Sequence, residues 1–185
     1  MTSGVTSGVT SAAGVVLAGG ASRRMGADKA LVEVAGTAMA RRVAGALAAA
    51  GCTPVWCQGG DAAALGALGL VVRADHRPGQ GPAAAITDVA RWLATTDADA
   101  GAVVAACDLP GLTAAAVAAL VGRPRPAALG VDGRPALVVW LPPGAVSAVA
   151  ASRATRYTDL LAEISTELVP IDPAVVRNVN SPDQL

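Results

Sequence analysis

The sequence predicts an α/β fold: three layers, α/β/α, around a mainly parallel sheet with an antiparallel element in the last third. Three observations predict it. Short β-branched runs alternate with longer alanine-rich stretches, the pattern of repeated strand–helix units. The first run, Gly14 to Ala18, has no polar alternation, as expected of a strand buried on both faces. Late in the chain, Asp132-Gly133 joins two apolar runs, a strong hairpin signal.

The elements follow in order. Residues 1–12 repeat Thr-Ser-Gly-Val without a basic leader, so they read as a flexible tail and not a signal peptide. Residues 13–185 read as a single domain. After the first strand comes a glycine-rich, charged segment from Gly19 to Lys29. Thr37 is placed to cap a helix in which Met39, Val43 and Leu47 recur every fourth position, and Gly51 stands where such a helix ends. Thr53 to Cys57 reads as the second strand and Leu70 to Arg73 as the third. The turn-rich Arg77-Pro78-Gly79-Gln80-Gly81-Pro82 precedes a helix over residues 83–95. Gly101 to Cys107 is the most strand-like run and enters Asp108-Leu109-Pro110 directly; Thr113 then starts a helix to about Val121. Strands over residues 127–131 and 135–141 form the antiparallel element. In a parallel sheet the crossovers are right-handed, and ligands collect at the carboxyl ends of the strands.

Composition narrows the function. At 185 residues the chain can bury about 70% of its unfolded surface. It is 53% hydrophobic but only 2% aromatic, with no Phe, so small aliphatic side chains must build the core. Trp56, Trp92 and Trp140 read as core and not as base-stacking platforms, since none lies in a motif loop. Fourteen basic residues balance fourteen acidic ones, which gives no general electrostatic case for nucleic acid or membrane as partner. Cys52, Cys57 and Cys107 form no CxxC pair, and with the lone His76 they make no zinc site. They read as buried free thiols of a soluble, cytoplasmic protein.

The loop after the first strand concentrates the unusual chemistry. Gly19-Gly20 lets backbone N–H groups approach a ligand, forming an anion-binding concavity. Arg23, Arg24 and Lys29 add positive charge, and a nucleoside triphosphate is the anion that would justify them. The Walker pattern is absent, because the chain has no Gly-Lys pair. Gly79-x-Gly81-x-x-Ala84 is a loose dinucleotide match, but it follows a loop and Pro82 removes a donor.

From Leu17 to Ala30 the chain reads Leu-Ala-Gly-Gly-Ala-Ser-Arg-Arg-Met-Gly-Ala-Asp-Lys-Ala. This resembles, without a gap, the signature of the nucleotidyltransferases that include molybdenum cofactor guanylyltransferase. Asp75 with Gly81-Pro82-Ala83 is similar to the family's aspartate and Gly-Pro-Leu-Ala-Gly segment, with Ala83-Ala84-Ala85 as a departure expected to relax the turn. Cys107-Asp108-Leu109-Pro110, Arg134-Pro135-Ala136-Leu137 and the closing Asn178-Val179-Asn180-Ser181-Pro182 continue the resemblance in order.

The resemblance implies a Rossmann-like nucleotidyltransferase fold and Mg2+-dependent transfer of GMP from GTP to molybdopterin-bound molybdenum, with pyrophosphate leaving. It also implies contact with the proteins that assemble or receive that cofactor. Asp108 is the expected metal ligand, and Arg24 and Lys29 the groups that neutralise the departing pyrophosphate. Leu17, Ala18, Gly19 and Gly20 are expected to contact the nucleotide through backbone groups, with Asp75 as a second nucleotide-contacting acid. Gln58 stands near the family's asparagine but is not assigned its role. Asn180 either borders the site or caps a turn. The bland readings are a turn-capping Asp108 and surface charges at Arg24 and Lys29; Arg23 and His76 read as surface. In-line displacement by an ionised phosphate needs no base.

Other readings share these residues. A molybdopterin cytidylyltransferase, or a phospho-sugar or phospholactate nucleotidyltransferase, would carry the same loop and metal acid. A non-catalytic nucleotide-binding, cofactor-delivery module would not need Lys29 and Asp108 intact. A nicotinamide-linked oxidoreductase is disfavoured by the failed dinucleotide pattern.

Overall fold

A computed structural model of the chain describes residues 12–19, 28–96 and 99–179. Residues 1–11 of the expected tail, together with Gly20, Arg23, Arg24 and Asn180, lie outside the described residues.

Strand β1 (Ala12–Leu17) begins two residues before the expected Gly14, so Ala12 belongs to the sheet and not to the tail. It is buried throughout, and its neighbours explain why. Strands β4 (Val55–Gln58) and β6 (Gly101–Ala106) flank it, both parallel, and β5 (Val72–Arg73) extends the sheet beyond β4. The full order is β5-β4-β1-β6-β8-β7-β9, with β7 (Ala127–Val131), β8 (Arg134–Leu141) and β9 (Glu167–Pro170). Because β8 pairs antiparallel with both β6 and β7 while β7 and β9 are parallel, β8 alone runs against the other strands of this sheet. The turn that reverses it is the expected one: Asp132 and Gly133 both take positive φ, at 50° and 74°.

Side-chain alternation divides the core in two. Val16, Val103 and Leu129 face helices α1 (Met39–Ala49) and α4 (Ala114–Ala118), through Val43, Leu47 and Val117. Val15, Val104 and Val139 face α3 (Gly81–Thr96), α5 (Pro143–Ala151) and α6 (Tyr157–Glu163), through Ile86, Val149 and Leu160. Helices thus cover both faces, as a sheet with near-continuous apolar strands requires. With so few aromatic residues, close approach does the packing. Gly14 lets α1 sit against the sheet, where a Cβ would lie 3.1 Å from Leu47 Cβ.

Several expectations need correction. Thr37 does not cap α1; it lies in a two-stranded ribbon, β2 (Glu33–Val34) with β3 (Thr37–Ala38), and Ala38 precedes the helix without a side-chain cap. Helix α4 ends at Ala118, short of Val121, although Thr113 does cap it, accepting from Ala116 N–H at 3.2 Å. Ala83, Ala84 and Ala85 relax no turn, because α3 already starts at Gly81 and holds them as helix. Helix α2 (Ala62–Ala67), capped by Asp61, was not anticipated; nor were β2, β5's short extent, α5, α6 and β9. Of the tryptophans, Trp56 and Trp140 are core, while Trp92 is only partly buried and stacks edge-on against Trp56. The three cysteines are buried and free, their thiols pushed up to about 11, 11 and 12 chiefly by burial.

The indole of Trp140 fills the space above Gly101, where a Cβ would collide with its ring and come within 2.7 Å of Leu141 O. Gly101→Ala should therefore destabilise the fold by about 1–3 kcal/mol, the usual cost of overpacking a filled core. Denaturant unfolding checks this, and an unchanged midpoint would count against it.

Candidate active site at the carboxyl edge of the sheet

Four adjacent strands, β5, β4, β1 and β6, run parallel, so their carboxyl ends lie along one edge. Ala18 and Gly19 follow β1, Gly59 follows β4, Asp75 follows β5, and Cys107 and Asp108 follow β6. All of these but Gly59 line a cleft of about 440 Å³, closed by the start of α3 at Gly81-Pro82 and by Leu137 of β8. That volume suits a nucleotide-sized ligand. Every expected site residue within the described set lines it: Leu17, Ala18, Gly19, Lys29, Asp75 and Asp108.

The anion cradle expected of Gly19-Gly20 and the segment after it falls largely outside the described residues. The N–H groups of Ala18 and Gly19 both donate to Gln58 O, at 3.0 and 3.1 Å, so they are already engaged. Gly19 is needed for another reason. The Asp75 carboxylate rests against Gly19 and Gly59, and a Cβ on either residue would collide with its Oδ2. Gly59 also takes a φ of +72°, which favours glycine.

Gln58 holds this arrangement from below. It is buried, its amide donates to Ala74 O at 3.0 Å, and its carbonyl accepts from Trp56 Nε1 at 3.4 Å. It also bonds the Asp75 side chain. The Asp75 Oδ1 is buried without a hydrogen-bond partner among the described residues. Burial raises its pKa above the ordinary 3.8; the Gln58 bond opposes the shift and the negative charge of Asp88 adds to it.

Across the cleft, Lys29 Nζ lies 3.6 Å from Asp108 Oδ2, with both side chains about four-fifths covered. Asp28 orients Lys29 by capping its 3-10 turn, its Oδ1 accepting from Ala30 N–H at 3.0 Å. Asp108 Oδ1 is buried and has no partner among the described residues. That oxygen caps no turn among the described residues. Val179 N–H donates to Asp108 O at 3.0 Å, and the neighbouring Asn178 lines the cleft.

Sequence reasoning missed Asp28, Arg77, Leu137 and Asn178 as lining residues. Asn178 stood in the closing motif, one position of choice away from Asn180, and Arg77 stood in the turn-rich segment. Leu137 stood in Arg134-Pro135-Ala136-Leu137, a motif of the resemblance to which no site role was attached. His76 is exposed and lines a separate hollow. Among the described residues no group of three acidic, His or Cys side chains gathers for a metal, and no helix is long and apolar enough to cross a membrane.

Residues 14–167 match the profile of the MobA-like NTP transferase domain. The chain belongs to that family. A probable molybdenum cofactor guanylyltransferase of Pelotomaculum thermopropionicum is 43% identical over 99 residues, 54% of this chain and 46% of the relative. The chain thus spans about half the length of the curated relatives it matches. Among solved structures, molybdopterin-guanine dinucleotide biosynthesis protein A from Archaeoglobus fulgidus superposes with a TM-score of 0.66 at 18% identity, covering 93% of each chain. The Rv0371c protein of Mycobacterium tuberculosis, solved in complex with manganese, gives 0.68 at 19% identity over 95% of each. These likenesses show a shared fold, the mixed, mainly parallel sheet described above.

A raised pKa means that folded Asp75 keeps its proton where the unfolded chain has lost it. Stability relative to Asp75→Asn should then fall as pH rises from 3.8 through the raised value. Unfolding of both proteins across that range checks this; a difference flat with pH would contradict the desolvated site.

Proposed function

We propose that the chain transfers GMP from GTP to a molybdopterin-bound molybdenum cofactor, releasing pyrophosphate. The observation that carries this reading is the Lys29–Asp108 pair, 3.6 Å apart, facing Asp75 within one nucleotide-sized cleft. The family and the printed name of the 43%-identical relative support it.

In this reading the base lies against Gly19 and Asp75. A carboxylate acceptor suits the N1–H and N2–H donors of guanine, which cytosine cannot present in the same pattern. The triphosphate lies toward Lys29, whose charge offsets that of the departing pyrophosphate. An acceptor phosphate oxygen forms the new bond to the α-phosphorus as the bond to pyrophosphate breaks. Since that oxygen is already ionised, no base is required, consistent with an exposed His76.

Asp108 would hold a divalent cation, Mg2+ by this proposal, which when bound neutralises phosphate charge. The fit rests on its buried, unpartnered Oδ1 and on the single carboxylate such a site needs when phosphates and water complete it. Lys29 beside it keeps the carboxylate compensated when no cation is bound.

Titration calorimetry with GTP, CTP, ATP and UTP, each with and without Mg2+, tests the reading. Selective, metal-enhanced GTP binding is expected; preference for CTP would redirect the assignment to a cytidylyl activity, and no binding would end it. Asp108→Asn should abolish metal-dependent transfer while leaving the melting temperature near wild type, because Oδ1 bonds nothing that the fold needs. Lys29→Ala should lower kcat/KM about a hundredfold or more, by analogy with loss of one transition-state charge stabiliser. Steady-state kinetics at saturating Mg2+ would expose an unaffected variant.

A further inference from the structure

The wall of the cleft that carries Asp75 is weakly supported by its own backbone. From Asp75 to Gln80 it has one internal backbone hydrogen bond, Gln80 N–H to Arg77 O at 3.3 Å. Gly79 takes a positive φ within it, and Gly81 takes another where α3 begins. Arg77 supplies the fastening that the backbone lacks. Its Nη2 donates to Ala84 O at 3.1 Å and to Asp88 Oδ1 at 2.9 Å, both on α3.

Asp88 is an unusual anchor. Its side chain is 3% exposed, and the same Oδ1 also receives Arg91 Nη1 at 3.4 Å. A buried carboxylate with cations on one side is costly to keep and strongly directional once formed. Apolar contacts alone would cover the helix at this position, so the charge calls for a reason. Behind it lies a hollow of about 360 Å³, lined by Asp88, Arg91 and Trp92 among others, which leaves a released loop room to shift.

We propose that Arg77 and Asp88 are positioning residues: they latch the Asp75 loop onto α3 and thereby set how the cleft selects the base of its nucleotide. This rests on the donor-site reading above. The latch acts on one wall only. On the opposite wall the Asp28 cap orients Lys29 and the Val179 bond ties Asp108, and neither of these two bonds involves Arg77 or Asp88. Loosening the latch therefore affects recognition of the base more than the transfer step.

The test compares wild type, Arg77→Ala, Arg77→Lys and Asp88→Asn for GTP and CTP affinity by calorimetry with Mg2+, and for KM and kcat in the transfer assay. Arg77→Ala and Asp88→Asn should weaken GTP binding about tenfold, the scale of one lost hydrogen bond to a charged group. The GTP-over-CTP ratio should shrink, and KM should change more than kcat. Arg77→Lys, which keeps the charge and one donor, should recover part of both. If Arg77→Ala melts below the assay temperature, Arg77→Lys and Asp88→Asn carry the comparison. Folded variants with wild-type affinity and base ratio would overturn the latch, as would a loss confined to kcat. A wild-type chain that binds no nucleotide would overturn the donor-site reading and the latch with it; a wild type that binds GTP beside unaffected variants overturns the latch alone.

Discussion

The Asp75 carboxylate is the piece around which the carboxyl edge of the sheet is arranged. It needs Gly19 and Gly59 bare beneath it, and it takes a bond from Gln58. Gln58 in turn receives both loop N–H groups that follow β1. Three loops from three strands therefore share one polar contact set. A charged group placed there pays in desolvation, visible in its raised pKa, and offers a partly unmatched acceptor in return. The opposite wall repeats the logic with Asp108, whose Oδ1 is likewise buried and unmatched. Two orphaned carboxylate oxygens lining one cleft are a poor way to stabilise a fold and a good way to receive a ligand that brings donors and a cation.

Much of this was legible before any coordinates. Buried strands announce themselves by unbroken β-branched runs, and the Asp132-Gly133 turn by the positive φ that its residues tolerate. The glycine loop, Lys29, Asp75 and Asp108 could be selected because their chemistry is local in the chain. What stayed hidden has a common physical cause. Thr37 has the right side chain for a cap, yet ribbon pairing with Val34 claims its backbone first. Helix α5 is alanine-rich, without the periodic large residues that set off α1, and α6 spans only seven residues, too few for its Tyr157, Leu160 and Leu161 to stand out as a repeat. One reason for Gly19 stayed hidden because it lies in Asp75, far along the chain. Arg77 and Leu137 face the cleft only by virtue of tertiary packing.

The family assignment and the geometry answer different questions. Membership in the MobA-like NTP transferase domain family fixes the architecture and the order of motifs. It says little about Arg77, Asp88 or Gln58, which come from how this chain supports its own cleft. Lys29 and Asp108 show the same division: their types follow the motif, whereas their mutual 3.6 Å approach depends on the Asp28 cap and on β6 ending where it does.

The position of β1 has a consequence for how the chain must be made. It is the first of the described strands to be translated and is buried throughout, yet its two hydrogen-bonding partners, β4 and β6, are translated only after one and then two further strand–helix units. Until residue 101 emerges from the ribosome, one flank of this apolar strand stands bare, inviting pairing with other nascent chains. Non-local pairing of this kind also slows folding. A fragment halted before β6 should therefore be captured by chaperones or aggregate, even though it already contains the glycine loop.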